Sequence, residues 1–410
     1  MKRLAVGLLL IAALLALAIP RFFPSVFGQA SAPPAPHIGE GGIPQFEKDP
    51  AWPKVPAKWK MGYGSAVAAD EQDHIWILSR PRTLPPSALD QTSSPAPPVM
   101  EFDNAGNFVQ GWGGESGSGY QWPSNEHGIT VDSKGFVWVV GNADGARNNP
   151  ANLPNDNQVL KFTKTGQFVM AIGQSGQTGS NKTEVLRGAT GLHYYARTNE
   201  LFVSDGYGNN RVMVYDADSG AFKRMWGAYG NKPLDAEDRP PRSAPTLIPW
   251  VAVSEVLQQF ASPVHDVKVS DDGLVYVADR GNKRVQVFTL DGRYIAEQFV
   301  GIDSKYYLQV RGIAFSPDQR FLYLGGTPVV YILNRRTLEV LGAFDTGEGS
   351  QDHPPGHQIG ADSRGNIYVV QAELTGADGK SGGTGAYKWV FKGYSPATTC
   401  CEGGGFRATQ

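Results

Sequence analysis

His127-Gly128-Ile129-Thr130-Val131-Asp132, followed by Gly135-Phe136-Val137-Trp138-Val139, is the stretch on which the fold turns. Each half has the apolar character of a strand packed against a core, and the Asp and Gly between them supply a tight turn. The pattern recurs at His265-Asp266-Val267-Lys268-Val269 with Gly273-Leu274-Val275-Tyr276-Val277. Further copies begin at Ser65, Thr190, Arg311 and His357, with second strands centred on Trp76, Phe202, Tyr323 and Tyr368. A third strand is expected after each, at 99–102, 159–162, 211–215, 284–288, 329–333 and 388–391. A fourth follows a Gly-containing turn, as at 108–112, 168–172 and 222–226. Four strands written six times over predict an all-β, six-bladed β-propeller. A β-sandwich would not repeat one turn chemistry in this way.

Composition agrees. The 410 residues include 50 Gly and 29 Pro, and 11% are aromatic, which suits short strands, tight turns and rings packed between sheets. A formal net charge of −2 gives no footing for nucleic acid or an anionic membrane surface. The two cysteines, Cys400 and Cys401, are adjacent and read as a tail feature with no framework role. Lys2 and Arg3, the apolar run 4–19 and the small residues of Gly28-Gln29-Ala30 read as a signal peptide over 1–30. The chain is therefore expected to be exported, secreted or periplasmic, with membrane attachment only if that segment stays uncleaved. Residues 31–57, rich in Pro and Gly, read as a linker, 58–393 as the propeller and 394–410 as a tail.

The sixth unit stops after its third strand. The segment 58–62 resembles the fourth strand of unit three, Lys223-Arg224-Met225-Trp226-Gly227, and is expected to close the ring beside Val390. Two insertions interrupt the units, at 142–157 and at 228–263; the second includes a helix expected over 251–260.

In a propeller the first strand of each blade lines the central channel. Its start shares a face with the link between strands two and three. One ring of positions is therefore Ser65, His127, Thr190, His265, Arg311 and His357, with histidine in every other blade. Alone, any one histidine reads as a polar residue at a strand end. Three of the chain's 7 histidines on alternate equivalent positions point at one spot. Three nitrogen ligands with a fourth position open is the arrangement of a catalytic zinc site. The links add Arg80 and Arg280, in the same place in units one and four, and Tyr207. Arg211 and Arg284 read as structural residues that tie a turn. A guanidinium beside a metal suits a substrate carboxylate.

These residues resemble a known family. Residues 59–393 are similar to NHL-repeat propellers, and the rim looks like peptidyl-α-hydroxyglycine α-amidating lyase. The segments that carry the likeness are Glu126-His127-Gly128, Ser204-Asp205-Gly206-Tyr207, Pro263-Val264-His265 with Ala278-Asp279-Arg280, and Gly356-His357-Gln358. The resemblance implies zinc on His127, His265 and His357, Tyr207 and Arg80 as catalytic residues, and Arg80 with Arg280 on the substrate. The reaction it implies is C–N cleavage of a peptide or small-molecule α-hydroxylated amide. Gln358 stands where the family has an aspartate that helps hold a structural calcium, and Gly208 where it has a cysteine. Two other readings stay open: a non-catalytic NHL propeller binding a peptide, glycan or protein, and a lactonase-like metal hydrolase.

Overall fold

The computed structural model describes residues 42–144, 155–238, 258–301, 310–326, 329–346, 356–371 and 385–395. The six repeats form six antiparallel four-stranded sheets. Blade one comprises Tyr63–Ala69, Ile75–Arg80, Val99–Phe102 and Phe108–Trp112; blade two, Glu126–Val131, Phe136–Gly141, Gln158–Thr163 and Phe168–Gly173. Blade three comprises Ala189–Tyr195, Glu200–Asp205, Arg211–Asp216 and Phe222–Trp226; blade four, Val264–Val269, Leu274–Asp279, Arg284–Thr289 and Tyr294–Phe299. Blade five is Gly312–Phe315, Phe321–Gly325, Val329–Asn334 and Val340–Asp345.

The Asp of the repeat has a local task. Asp132 Oδ1 accepts the backbone N–H groups of Lys134 and Phe136, while Oδ2 accepts the indole N–H of Trp138 at 2.9 Å. One carboxylate thus closes the turn and fixes the second strand's aromatic ring. Asp70 with Trp76 and Asp362 with Tyr368 repeat the device in blades one and six. The rings so placed enter hydrophobic clusters that lie between neighbouring blades. Trp138, Leu192, Val203 and Met213 join blades two and three, and Phe202, Val214, Val267 and Val277 join three and four. Burying both faces of each sheet this way is what makes the ring one body.

The ring is closed by an N-terminal strand, but not the expected one. Ile43–Asp49 pairs antiparallel with Ala386–Ser395, with Phe46 opposite Phe391, and completes blade six beside Ile359–Ala361 and Ile367–Val370. The segment expected to close it instead sends Trp59–Lys60 alongside Ser94–Pro95 in blade one, in parallel. Side-chain packing decides the choice. Phe46 lies against Tyr323, Phe344 and Phe391, whereas Trp59 stacks edge-on against Phe108. A proline-rich stretch therefore contains a strand, and Pro44 is tolerated because that strand is outermost and bulges between Pro44 and Phe46. The expected signal peptide, the cysteine pair and most of the expected helix lie outside the described residues. Among the described residues no helix is long and apolar enough to cross a membrane.

Candidate metal centre

The first strand of each of blades one to four carries a register shift at its channel end: between Gly64 and Ala66, Glu126 and Gly128, Ala189 and Leu192, and Val264 and Asp266. Ser65, His127, Thr190 and His265 sit in these irregularities. An extra residue in a ladder loses its pairing and its side chain is re-aimed. Here the bulges turn these residues out of the sheets toward the channel.

His127, His265 and His357 meet there. Their ligand atoms lie within 4.8 Å of one another, and all three residues are buried. The ring centroids form a near-equilateral triangle with sides of 4.9, 4.7 and 4.7 Å. Each Nδ1 meets a backbone carbonyl of the next blade's equivalent residue: His127 to Thr190 at 2.9 Å, His265 to Arg311 at 2.7 Å, His357 to Ser65 at 2.6 Å. A carbonyl only accepts, so each Nδ1 carries the proton and each Nε2 presents a lone pair. The even blades supply the rings and the odd blades supply the carbonyls that orient them.

Burial pushes all three imidazoles far below the ordinary histidine range, and nearby guanidinium groups push further: Arg80, Arg280 and Arg311 for His127, Arg280 and Arg311 for His265, Arg80 and Arg311 for His357. They are neutral, as metal ligands must be. Nε2 of His127 and Nε2 of His265 are buried and have no hydrogen-bond partner among the described residues. A buried acceptor left unmatched costs about 1–3 kcal/mol. Two aimed at one point fit a bound metal ion, as in a three-histidine zinc site.

Tyr207, Arg80 and Arg280 are brought to the same place. The Tyr207 ring lies 5.4 Å from that of His127 and 6.2 Å from that of His265. Arg280 Nη1 donates to Tyr207 Oη at 3.2 Å. Arg80 Nε donates to the Glu126 carbonyl at 2.7 Å, which ties it to the residue before His127. The loops carrying Tyr207 and Arg280 are clamped by one motif used twice. Asp205 binds Asn209 and Arg211, and Asp279 binds Asn282 and Arg284, with both Asp–Arg pairs fully buried. Arg211 and Arg284 are thus structural, as expected. Gly206 allows the tyrosine loop to press onto blade four, since a Cβ there would overlap the Val264 carbonyl.

Sequence reasoning gave Arg311 no role, though it occupies the ring position of blade five. Its carbonyl orients His265, and its Nη1 donates to Gly356, next to His357, at 2.6 Å. Its place in the alternating ring was visible, but the use of its backbone was not. A cleft lined by Trp59, Trp112, Pro97 and Arg82 reaches Glu126, the residue before His127. Calcium does not fit the residues below the histidines. Gln358 donates its amide to the Thr190 carbonyl at 3.4 Å, and an ammonium, that of Lys268, already lies on Asp266 at 3.0 Å.

Comparison with known proteins agrees with this architecture. The NHL-repeat family model matches residues 264–288, the first three strands of blade four. NHL repeat-containing protein 3 of Mus musculus is 25% identical over 313 residues, which cover 74% of this chain and 72% of that protein. Peptidyl-glycine alpha-amidating monooxygenase A of Xenopus laevis is 25% identical over 255 residues, 60% of this chain but only 23% of the relative. A protein of Caenorhabditis elegans named as a probable peptidyl-alpha-hydroxyglycine alpha-amidating lyase is 26% identical over 164 residues, 40% of this chain and 36% of its own length. This chain therefore matches less than half the length of either amidating relative. It is a six-bladed β-propeller that carries an NHL repeat and resembles, at low identity, the amidating enzymes.

Proposed function

We propose that this protein is a zinc-dependent lyase that cleaves the C–N bond of α-hydroxylated amides bearing a carboxylate, the peptidyl-α-hydroxyglycine class. The observation that carries the reading is the convergence of three neutral imidazoles, two with unmatched buried Nε2 atoms, beside a phenol and two guanidinium groups. Zinc held by His127, His265 and His357 would polarise the substrate's α-hydroxyl and lower its pKa. Tyr207 Oη takes the hydroxyl proton, with Arg280 stabilising the phenolate through the hydrogen bond they already share. As the O–H electrons form the new carbonyl, the C–N bond breaks and its electron pair goes to the amide nitrogen. Tyr207 returns the proton there, giving a primary amide and glyoxylate. Arg80, anchored on Glu126, and Arg280 hold the carboxylate.

The names of the two amidating relatives described above support this substrate class. The N-terminal Lys2-Arg3 and the apolar run after them support action outside the cytoplasm. The deciding experiment is incubation of zinc-loaded protein with a short peptide ending in α-hydroxyglycine, reading glyoxylate above the spontaneous rate. Its absence with every carboxylate-bearing carbinolamide tried refutes the lyase. One observation favours a second reading, a propeller that binds a peptide, glycan or partner protein without turnover. The alignment to NHL repeat-containing protein 3 spans more of both chains than either alignment to an amidating relative.

A further inference from the structure

Directly after the six ring positions come Ala66, Gly128, Gly191, Asp266, Gly312 and Gln358. Four are alanine or glycine, so the layer beneath the histidines is filled by the side chains of Asp266 and Gln358. Gln358 reaches from blade six to the Thr190 carbonyl of blade three. Asp266 is fully buried and ties three first strands together. Its Oδ2 accepts the Ile313 N–H of blade five at 2.9 Å, and its Oδ1 accepts Val267 N–H of its own strand at 2.9 Å. On the third side Gly191 of blade three presses so close that a Cβ there would overlap the carboxylate. Lys268 completes the arrangement, with Nζ 3.0 Å from Asp266 Oδ1 and 3.1 Å from the Leu192 carbonyl of blade three.

A carboxylate and a backbone carbonyl around a cationic atom are oxygen donors of the kind a hard divalent cation takes. The cation here is part of the chain. We infer that Lys268 is a built-in counter-cation of the channel, its ammonium occupying, between Asp266 and the Leu192 carbonyl, the place a divalent cation would otherwise take. Asp266 is fully buried with the Lys268 ammonium 3.0 Å away, so its carboxylate depends on such a partner. A buried charge stripped of its partner is strongly destabilising. This inference stands apart from the lyase reading. It implies that the fold does not require calcium and that chelation acts on the histidine centre alone.

The test is calcium content and calcium-dependent melting of the full chain, compared with Lys268→Ala, Lys268→Arg and Lys268→Ala/Asp266→Asn. The parent should hold no calcium, and its melting temperature should not move between chelator and millimolar calcium. Lys268→Ala should melt several degrees lower and recover most of that loss in calcium, with one ion bound per chain. Lys268→Arg should behave as the parent. The double variant, lacking both charges, should show no calcium response. Stoichiometric calcium in the parent overturns the inference, and this measurement needs no variant. So does a Lys268→Ala protein that melts like the parent and ignores calcium. If Lys268→Ala folds only when calcium is supplied, the inference stands; if it folds under neither condition while the double variant folds, the unpaired Asp266 is the cause and the counter-cation role again stands. Failure of both variants with and without calcium would mean that the lysine stem, not its charge, is what matters, and the inference falls.

Discussion

Tyr207→Phe isolates proton transfer from everything else at the centre. The substitution removes one oxygen and keeps the ring that packs 5.4 Å from His127 and 6.2 Å from His265, so the histidines keep their neighbour. What is lost is the acceptor for Arg280 Nη1 at 3.2 Å and the group assigned the substrate proton. The hydrogen bond, involving a charged donor, is worth about 1.5–3 kcal/mol. Positioned acid–base catalysis contributes about 10²–10⁴-fold. Glyoxylate release from an α-hydroxyglycine peptide should therefore fall by about 10²–10⁴-fold in kcat. Zinc per chain should match the parent, because Tyr207 does not orient any histidine Nδ1. Arg280→Ala removes the other half of the same hydrogen bond, so the double variant should lose less than the product of the single losses. The reasoning is refuted if Tyr207→Phe retains kcat within about threefold, roughly 0.6 kcal/mol in the barrier, with zinc in place. Another group would then be moving the proton.

Elemental analysis should find one zinc per chain in the parent, removable by chelator, and markedly less in His127→Ala, His265→Ala and His357→Ala; a parent that stays metal-free when offered zinc removes the centre. Gly128→Ala would drive a Cβ into the Thr190 carbonyl that orients His127, so zinc affinity should drop by about 10–100-fold, as for lost outer partners of a ligand, while the fold persists. Phe46→Ala should cost about 2–3 kcal/mol in denaturant unfolding, below a fully buried Phe because the ring is half-exposed, and deleting residues 1–50 should expose the edge of Ala386–Ser395 and promote aggregation. Glu200 is held at about 2: burial raises it, but hydrogen bonds from Arg224, Lys223 and Thr198 outweigh that. A depressed carboxylate stabilises above its unfolded value near 4.5 and loses that contribution as pH falls toward 2, so Glu200→Gln should flatten the acid limb of the stability profile within that window.

The blades were legible because each copy states its own turn. Asp132 with Trp138 and Asp362 with Tyr368 are local bonds, spanning few residues, and a local device leaves a readable signature. The closing strand was not legible because nothing local makes Ile43–Asp49 a strand. It is held by Phe46 against Phe344 and Phe391, residues hundreds of positions away, while Pro44 and the Pro- and Gly-rich stretch around it argue for a linker. The likeness of 58–62 to Lys223–Gly227 was a likeness of composition, and packing against Phe108 overrode it.

The centre divides the same way. Histidine at alternate ring positions showed which side chains converge, because six-fold repetition converts sequence position into direction. It could not show what the intervening blades do, since a carbonyl has no residue identity. Yet the odd positions are where the precision arises. Thr190, Arg311 and Ser65 each offer a carbonyl at 2.6 to 2.9 Å to the histidine of the preceding blade, and the bulges of blades one to four hold one or both partners of each pair. An imidazole free to rotate about its χ angles would present Nε2 in many directions. One pinned at Nδ1 presents it in one. Side-chain substitution at Ser65 or Thr190 should therefore perturb the centre less than Gly128→Ala does, because what orients the ligands there is main chain.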